Sequence, residues 1–186
     1  MKTWSAFLRD VRPAAPSTPE PVLEHAVRRA AQRFCERTRA WIVELDPTVT
    51  REGATVYDLE LERNVELVRL ESATFNGNPY AIWRSGEPCR GGYVYTPDGK
   101  SIAFGGPVGA GLRLVVRCAV KPGNAATGVD DALFDRYLKE IALGAVADIT
   151  GDGLRKSEFT DECNRVKTAL WRGNAAIRPR ARPSFF

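Results

Sequence analysis

The chain has 186 residues and a formal charge of +4, from 27 basic and 23 acidic side chains. Its apolar and charged fractions, 44% and 27%, are those of an ordinary folded protein and exclude a collagen-like or disordered chain. The excess charge is concentrated. Four arginines and no acid fall in residues 172–186, so the remainder is balanced, which argues against a basic nucleic-acid-binding body. No apolar run approaches the ~18 residues needed to cross a bilayer.

Residues 1–13 place Trp4, Phe7, Leu8 and Val11 at helical spacing, broken by Arg9, Asp10 and Arg12. Without a continuous apolar stretch this is no signal peptide. It reads as a short amphipathic helix that docks on the body, followed by a brief linker at 14–16. The next stretch, 18–39, organises the chain. Ser17 or Thr18 is an N-cap candidate, Pro19 suits the first helical position, and Glu20 favours the positive end of the helix dipole. Leu23, Ala26, Val27, Ala30, Phe34 and Thr38 recur at helical spacing, with Ala31 and Cys35 at the border. Such a stripe needs a partner. The candidates lie more than ninety residues later.

Between them runs a β-rich segment. Residues 41–46 read as a strand ended by Pro47, and 54–61 alternate as a half-exposed strand should. A strand at 65–72 leads to Asn76-Gly77, the strongest short hairpin signal, with 80–83 returning. A second hairpin rises at 93–95, turns through Pro97-Asp98-Gly99-Lys100, and returns at 101–104. Residues 112–120 close the segment, and Pro122 and Gly123 end it. About seven short strands with regular turn signals indicate a small antiparallel sandwich or barrel. Asp130 or Asp131 then caps a helix over 132–149, with Leu133, Tyr137, Ile141, Ala142 and Ala145 on its stripe. Thr150-Gly-Asp-Gly153 breaks it. A last helix over about 157–174 carries Phe159, Cys163, Val166 and Leu170 on one face. Pro179 and Pro183 exclude a helix from residues 177–186, which read as an extended arm, basic in the middle and aromatic at its tip.

The fold expected is therefore α+β. A helical bundle (1–40 and 123–176) carries an inserted β-sandwich or barrel (41–122) and an extended C-terminal arm (177–186).

Catalytic chemistry is sparse. His25, the one histidine, falls on the polar side of the first long helix, so no Ser-His-Asp or Cys-His arrangement can be assembled. Cys35, Cys89, Cys118 and Cys163 stand far apart, as free and mostly buried thiols do, and lack the close pairing zinc requires. The glycines at 105–111 lie between strands and precede no helix, which suits a mobile loop or irregular edge better than a phosphate cradle. Asp148, Thr150, Asp152 and Gly153 match the first half of a calcium loop. Arg155 and Phe159 then occupy positions where an apolar residue and a carboxylate belong, and Glu158 is one place early, so a helix-helix turn is the better reading. Asp58, Glu60 and Glu62 alternate on what reads as a solvated strand face. No enzyme, metal or cofactor is expected.

The order helix, β-module, helix, helix, basic arm resembles the head-tail adaptor (connector) proteins of tailed bacteriophages, over nearly the whole chain. Residues 4–11 followed by Pro19-Glu-Pro-Val-Leu-Glu-His-Ala-Val-Arg-Arg-Ala-Ala-Gln-Arg-Phe-Cys35 are similar to the start of that family. So is Val120-Lys-Pro-Gly-Asn-Ala-Ala-Thr-Gly-Val-Asp-Asp-Ala-Leu-Phe134 leading into 137–147. Arg90-Gly-Gly-Tyr-Val-Tyr95 resembles a hairpin in the tail-tube adaptors of short-tailed phages, and Ile177-Arg-Pro-Arg-Ala-Arg-Pro-Ser-Phe-Phe186 resembles the family's terminal arm. The short linker at 150–156 departs from the pattern, which has a more Trp- and Pro-containing loop there.

The resemblance implies a virion protein of the neck, made in the host cytoplasm, with no catalysis and no membrane. About twelve copies would form a ring beneath the portal protein, contact the tail or next neck protein, and extend the channel for genome DNA without reading its sequence. In this arm Phe185 and Phe186 would be anchors, and Arg178, Arg180 and Arg182, beside Ile177, would meet acidic groups of the portal or a neighbouring copy. An alternative of another class is a non-specific DNA-binding protein that uses the basic tail and the aromatics Trp83, Tyr93 and Tyr95. An enzyme or carbohydrate-binding module on the β-insert has only fold-level support.

Overall fold

A computed structural model of the chain describes residues 1–84 and 91–177, with side chains as far as Arg172. The chain is mixed α+β. It opens with strand β1 (Lys2–Thr3), a 3-10 turn (Trp4–Phe7), helix α1 (Leu8–Val11) and a second 3-10 turn (Arg12–Ala14). The long helix α2 (Glu20–Thr38) is followed by β2 (Ile42–Glu44), β3 (Thr48–Val49), β4 (Val56–Asp58), β5 (Val65–Phe75), β6 (Asn78–Ile82), β7 (Tyr93–Tyr95), β8 (Ser101–Phe104), β9 (Arg113–Pro122) and β10 (Gly128–Val129). Helices α3 (Asp131–Thr150) and α4 (Gly153–Ile177) complete the fold.

The N-terminal stretch is a hook rather than one amphipathic helix. β1 pairs antiparallel with β10, and the Trp4 indole N–H donates to the Ala126 carbonyl at 2.7 Å. Trp4, Phe7, Leu8 and Val11 are all buried, and the Phe7 ring meets Phe134 edge-on at 4.8 Å. Helix α2 begins later than its sequence signals suggest. The Thr18 N–H is taken by the Ala15 carbonyl, and Pro19 becomes the cap, its carbonyl accepting from Val22 and Leu23 with no side-chain cap. Every stripe residue of α2 is buried, and the border positions Ala31 and Cys35 are fully so. Their partners are on α3 and α4: Leu133, Ile141, Ala145, Phe159, Cys163 and Val166. Helices α3 and α4 pack tightly at Gly144, where an added Cβ would fall 2.7 Å from the Phe159 ring, so a residue without one is required.

Asp130 caps α3, its carboxylate accepting from the N–H groups of Ala132 and Leu133. Helix α4 starts at Gly153, where the Asp152 carboxylate accepts from the Leu154 N–H, and so includes the last residues, 153–156, of the expected linker. It continues to Ile177. Gly173 and Asn174, where the sequence pattern places the end of this helix, lie inside it, because one glycine costs a helix only ~1 kcal/mol and Ala175 and Ala176 favour continuation. Ile177 thus ends a helix instead of opening an extended arm.

Eight strands make a curled sheet with the path β2-β9-β5-β6-β7-β8-β4, and β3 adds to β9 beyond Pro47. Proline has no N–H to give a ladder, and pairing resumes one residue later, which is why β3 escapes a reading that stops at Pro47. The β5–β6 turn is Asn76-Gly77, both with positive φ (47° and 83°), as a two-residue hairpin of this twist requires. Asp98 organises the second turn, its Oδ1 accepting from the N–H groups of Lys100 and Ser101 and from the Ser101 hydroxyl. These bonds hold its carboxyl below the usual range. The sheet is not wholly antiparallel as expected: β6 and β7 run parallel, with Ala81 opposite Tyr93. Parallel strands need a crossover, and residues 83–92 separate these two. Register shifts between Leu67 and Arg69, and between Leu70 and Ser72, bend β5.

Two buried clusters result, one among the helices and one within the sheet around Leu70, Val94, Ile102, Leu114 and Cys118. Trp41 packs against both. Beside it, Lys121 from β9 reaches Glu36 of α2 at 2.7 Å and Glu66 of β5 at 3.5 Å, and Arg39 pairs with Glu71 at 3.0 Å. The hydrogen bond that Lys121 donates to Glu36 raises the lysine's pKa.

Candidate interaction surfaces

Of the arm residues singled out by sequence, Ile177 is the last residue of α4, and Arg178, Arg180, Arg182, Phe185 and Phe186 lie outside the described residues. Seven residues before the helix ends, Leu170 lines a groove where the helices meet the sheet. Trp41 and Val43, from the segment leaving α2, and Leu133 and Tyr137 of α3 line it too. The groove has a volume of about 430 Å³ and shares Trp41, Val43 and Asp130 with a second hollow of about 320 Å³ floored by Leu45, Leu61 and Val65. Five carboxylates border the second hollow: Glu44, Asp46, Glu60, Glu62 and Asp130. Glu44 meets Arg117 only at 4.0 Å, both side chains being exposed. Asp46, Glu60 and Glu62 have no ion-pair partner among the described residues. The acids of residues 58–62 therefore do more than decorate a strand: two of them join acids from β2 and the α3 cap around one apolar hollow.

The residue types capable of catalytic or metal chemistry are engaged in the fold or its surface. His25 is exposed, with Nδ1 3.0 Å from the Arg28 guanidinium. Cys35, Cys118 and Cys163 are buried free thiols, and Cys89 lies outside the described residues. Burial pushes all three thiols up, Cys118 to about 12 and Cys163 to about 11, which makes them poor nucleophiles near neutrality. In the calcium-like stretch, Asp148 pairs with Arg33, the Thr150 hydroxyl donates to the Val146 carbonyl, and Asp152 caps α4 and meets Arg155 at 3.5 Å. Phe159, in the place of the final ligand, is core. Among the described residues no group of three or more His, Cys, Asp or Glu side chains is placed to hold a metal ion.

The glycine-rich 105–111 loop is pinned by a threonine that no sequence motif marks. Thr50 is 2% exposed; its hydroxyl donates to the Gly109 carbonyl at 2.7 Å and accepts from the Leu112 N–H at 3.0 Å. Its own N–H and carbonyl bond to Leu112 and Gly111. Thr50→Val keeps the shape but strands two polar groups, so urea unfolding should show a loss of about 1–3 kcal/mol. An unchanged midpoint would mean that water replaces the hydroxyl.

The aromatics Trp83, Tyr93 and Tyr95 are half-buried rather than displayed. Their ring centroids lie 5.9–6.3 Å apart, and the Tyr93 ring fills the space above Gly105. That packing leaves them less available as stacking platforms for bases than the sequence suggested. No helix among the described residues is long and apolar enough to cross a membrane. Compared with known proteins, the chain matches no family model and no curated sequence.

Proposed function

We propose that this chain is a head-to-tail adaptor of a tailed bacteriophage: a structural subunit that forms a ring of about twelve copies under the portal, joins capsid to tail, and extends the channel through which DNA passes unread. In this reading residues 1–40 and 123–176 are a discontinuous helical-bundle domain, and 41–122 are a small inserted sandwich or barrel. The protein needs no catalytic centre, and its place is the virion neck.

The observation that carries the reading is the pair of unlike surfaces left by the two cores. On the helical side Leu154 and Trp171 of α4 are 69% and 64% exposed. On the sheet Val49 and Val56 are 60% and 54% exposed, on β3 and on the edge strand β4. A closed ring is built from heterologous contacts, so each copy must present two different faces to its two neighbours. Exposed apolar side chains on separate elements, on a body of near-zero charge, supply such faces without mutual repulsion. The arm, with Arg178, Arg180 and Arg182 and the Phe185-Phe186 tip, suits docking onto acidic and apolar portal surface.

Native mass measurement tests this, with the protein alone and mixed with the portal ring from the same genome. The expected result is incorporation at a fixed stoichiometry, lost when residues 178–186 are removed. A protein that ignores the portal and shifts instead on DNA in a steeply salt-dependent way would replace this reading with that of a DNA-binding protein.

A further inference from the structure

We infer that the acid-rimmed groove at the helix–sheet junction is the docking site for residues 178–186 of the same molecule, which it holds in the free protein. The inference goes beyond the adaptor reading and does not depend on a portal.

Chemistry, connection and tethering converge on this site. The first is chemistry. The groove offers an apolar floor of Trp41, Val43, Leu61 and Tyr137, and its border sets five carboxylates, Glu44, Asp46, Glu60, Glu62 and Asp130, against one cation, Arg136. Residues 178–186 offer three arginines, two terminal phenylalanines and no acid. Guanidiniums on the rim and rings on the floor match term by term, and the phenylalanine–tryptophan contact adds the usual aromatic preference.

The second is connection. Leu170, on the helix from which the segment departs, is part of the groove wall. From there to Ile177 is about 10 Å of helix. The nine residues beyond it span up to about 30 Å when extended, enough to turn back and fill the groove. Pro179 supplies the place to turn, since it cannot continue a helix and disfavours one at Arg178.

The third is occupancy by tether. A segment attached this close sees its groove at an effective concentration in the millimolar range. Its own molecule therefore outcompetes a second copy at ordinary protein concentrations. Arm and groove would protect each other's apolar surface until a larger surface draws the arm away.

The test is binding of a fluorescently labelled peptide of residues 177–186, followed by anisotropy in low salt, to three full-length proteins. One is the native chain. One carries Arg178→Gln, Arg180→Gln, Arg182→Gln, Phe185→Ser and Phe186→Ser, which empties the groove without touching either core. The third adds Glu60→Gln and Glu62→Gln, both exposed positions. Saturable binding is expected to the second protein, at least tenfold weaker binding to the native chain, and about a tenfold loss in the third. A peptide with both phenylalanines changed to serine should also lose at least tenfold, separating a built groove from bulk charge attraction. Equal binding to native and arm-altered chains would overturn occupation in cis and point to a second copy or another protein as the occupant. Absence of saturable binding to the arm-altered chain would overturn the site itself.

Discussion

Phe34→Ala is expected to cost about 3–5 kcal/mol, the range for deleting a buried aromatic ring, against a total stability for domains of this kind of about 5–15 kcal/mol. Phe34 is fully buried at the centre of the α2 stripe. Its ring lies 5.0 Å from that of Tyr137, tilted by 47°, and Tyr137 is where α3 departs from helical geometry (φ −129°, ψ 20°). The kink sets the Tyr137 ring against Phe34, so removal of the ring takes away both buried area and the contact that fixes how α3 bends. The Thr38 hydroxyl already donates to the Phe34 carbonyl at 2.7 Å, so the backbone there cannot collapse freely into the void. Urea unfolding should show a lower midpoint with an unchanged slope, and Phe34→Leu should recover a large part of the loss. A midpoint shift under 1 kcal/mol would mean that α2 and α3 are not the centre of the cooperative unit.

The same helix shows which part of the fold was legible. Its stripe is local and periodic, and all of it is buried. The turns at Asn76-Gly77 and Asp98-Gly99 were equally readable, because a positive φ or an Asp-bonded turn is written in adjacent residues. What the pattern could not carry was long-range register. Nothing in Val56-Tyr57-Asp58 says that this strand sits on β8, far across the sheet from β2. Nothing in Tyr93-Val94-Tyr95 says that it runs parallel to β6. Thr50 looks like any loop threonine until the chain brings Gly109 and Leu112 to its hydroxyl.

The groove follows the same logic. Alternating acids at 58–62 read as a solvated face when one strand is taken in isolation. The groove needs Glu44 and Asp46 from β2 and its continuation, Glu60 and Glu62 from the segment after β4, and the cap residue Asp130, three separate segments that no local spacing relates to one another. Asp130 itself was legible only as a helix cap. It is one, and it also stands at the junction of both hollows.

Alkaline conditions are expected to destabilise the protein sharply, by about 4 kcal/mol between pH 8 and pH 10 from three thiols alone, at about 1.4 kcal/mol per pKa unit for each. Cys35, Cys118 and Cys163 are free, and each is less than 2% exposed. Burial raises all three above the ordinary value of 9.0. The carboxylate of Glu36 adds to the effect at Cys35 and that of Glu71 at Cys118, while Arg37 and Arg33 partly offset it at Cys163. The sign follows from proton binding. Below pH 9 the thiols are protonated in both states and contribute no pH dependence. Above it the unfolded chain releases protons that the folded chain retains, so the unfolded state gains and stability falls as pH rises. The loss continues until each folded thiol ionises, near pH 11 for Cys163 and near 12 for Cys118. Urea unfolding at pH 8, 9 and 10 under a reducing agent should show this decline. Cys35→Ala should flatten the decline by about a third while lowering stability at pH 8 through the small void it leaves. Contributions from all other groups are common to both proteins and cancel in the comparison. An identical pH slope in native and Cys35→Ala chains would mean that the thiol at the centre of the α2–α4 contact is reached by water in the folded state.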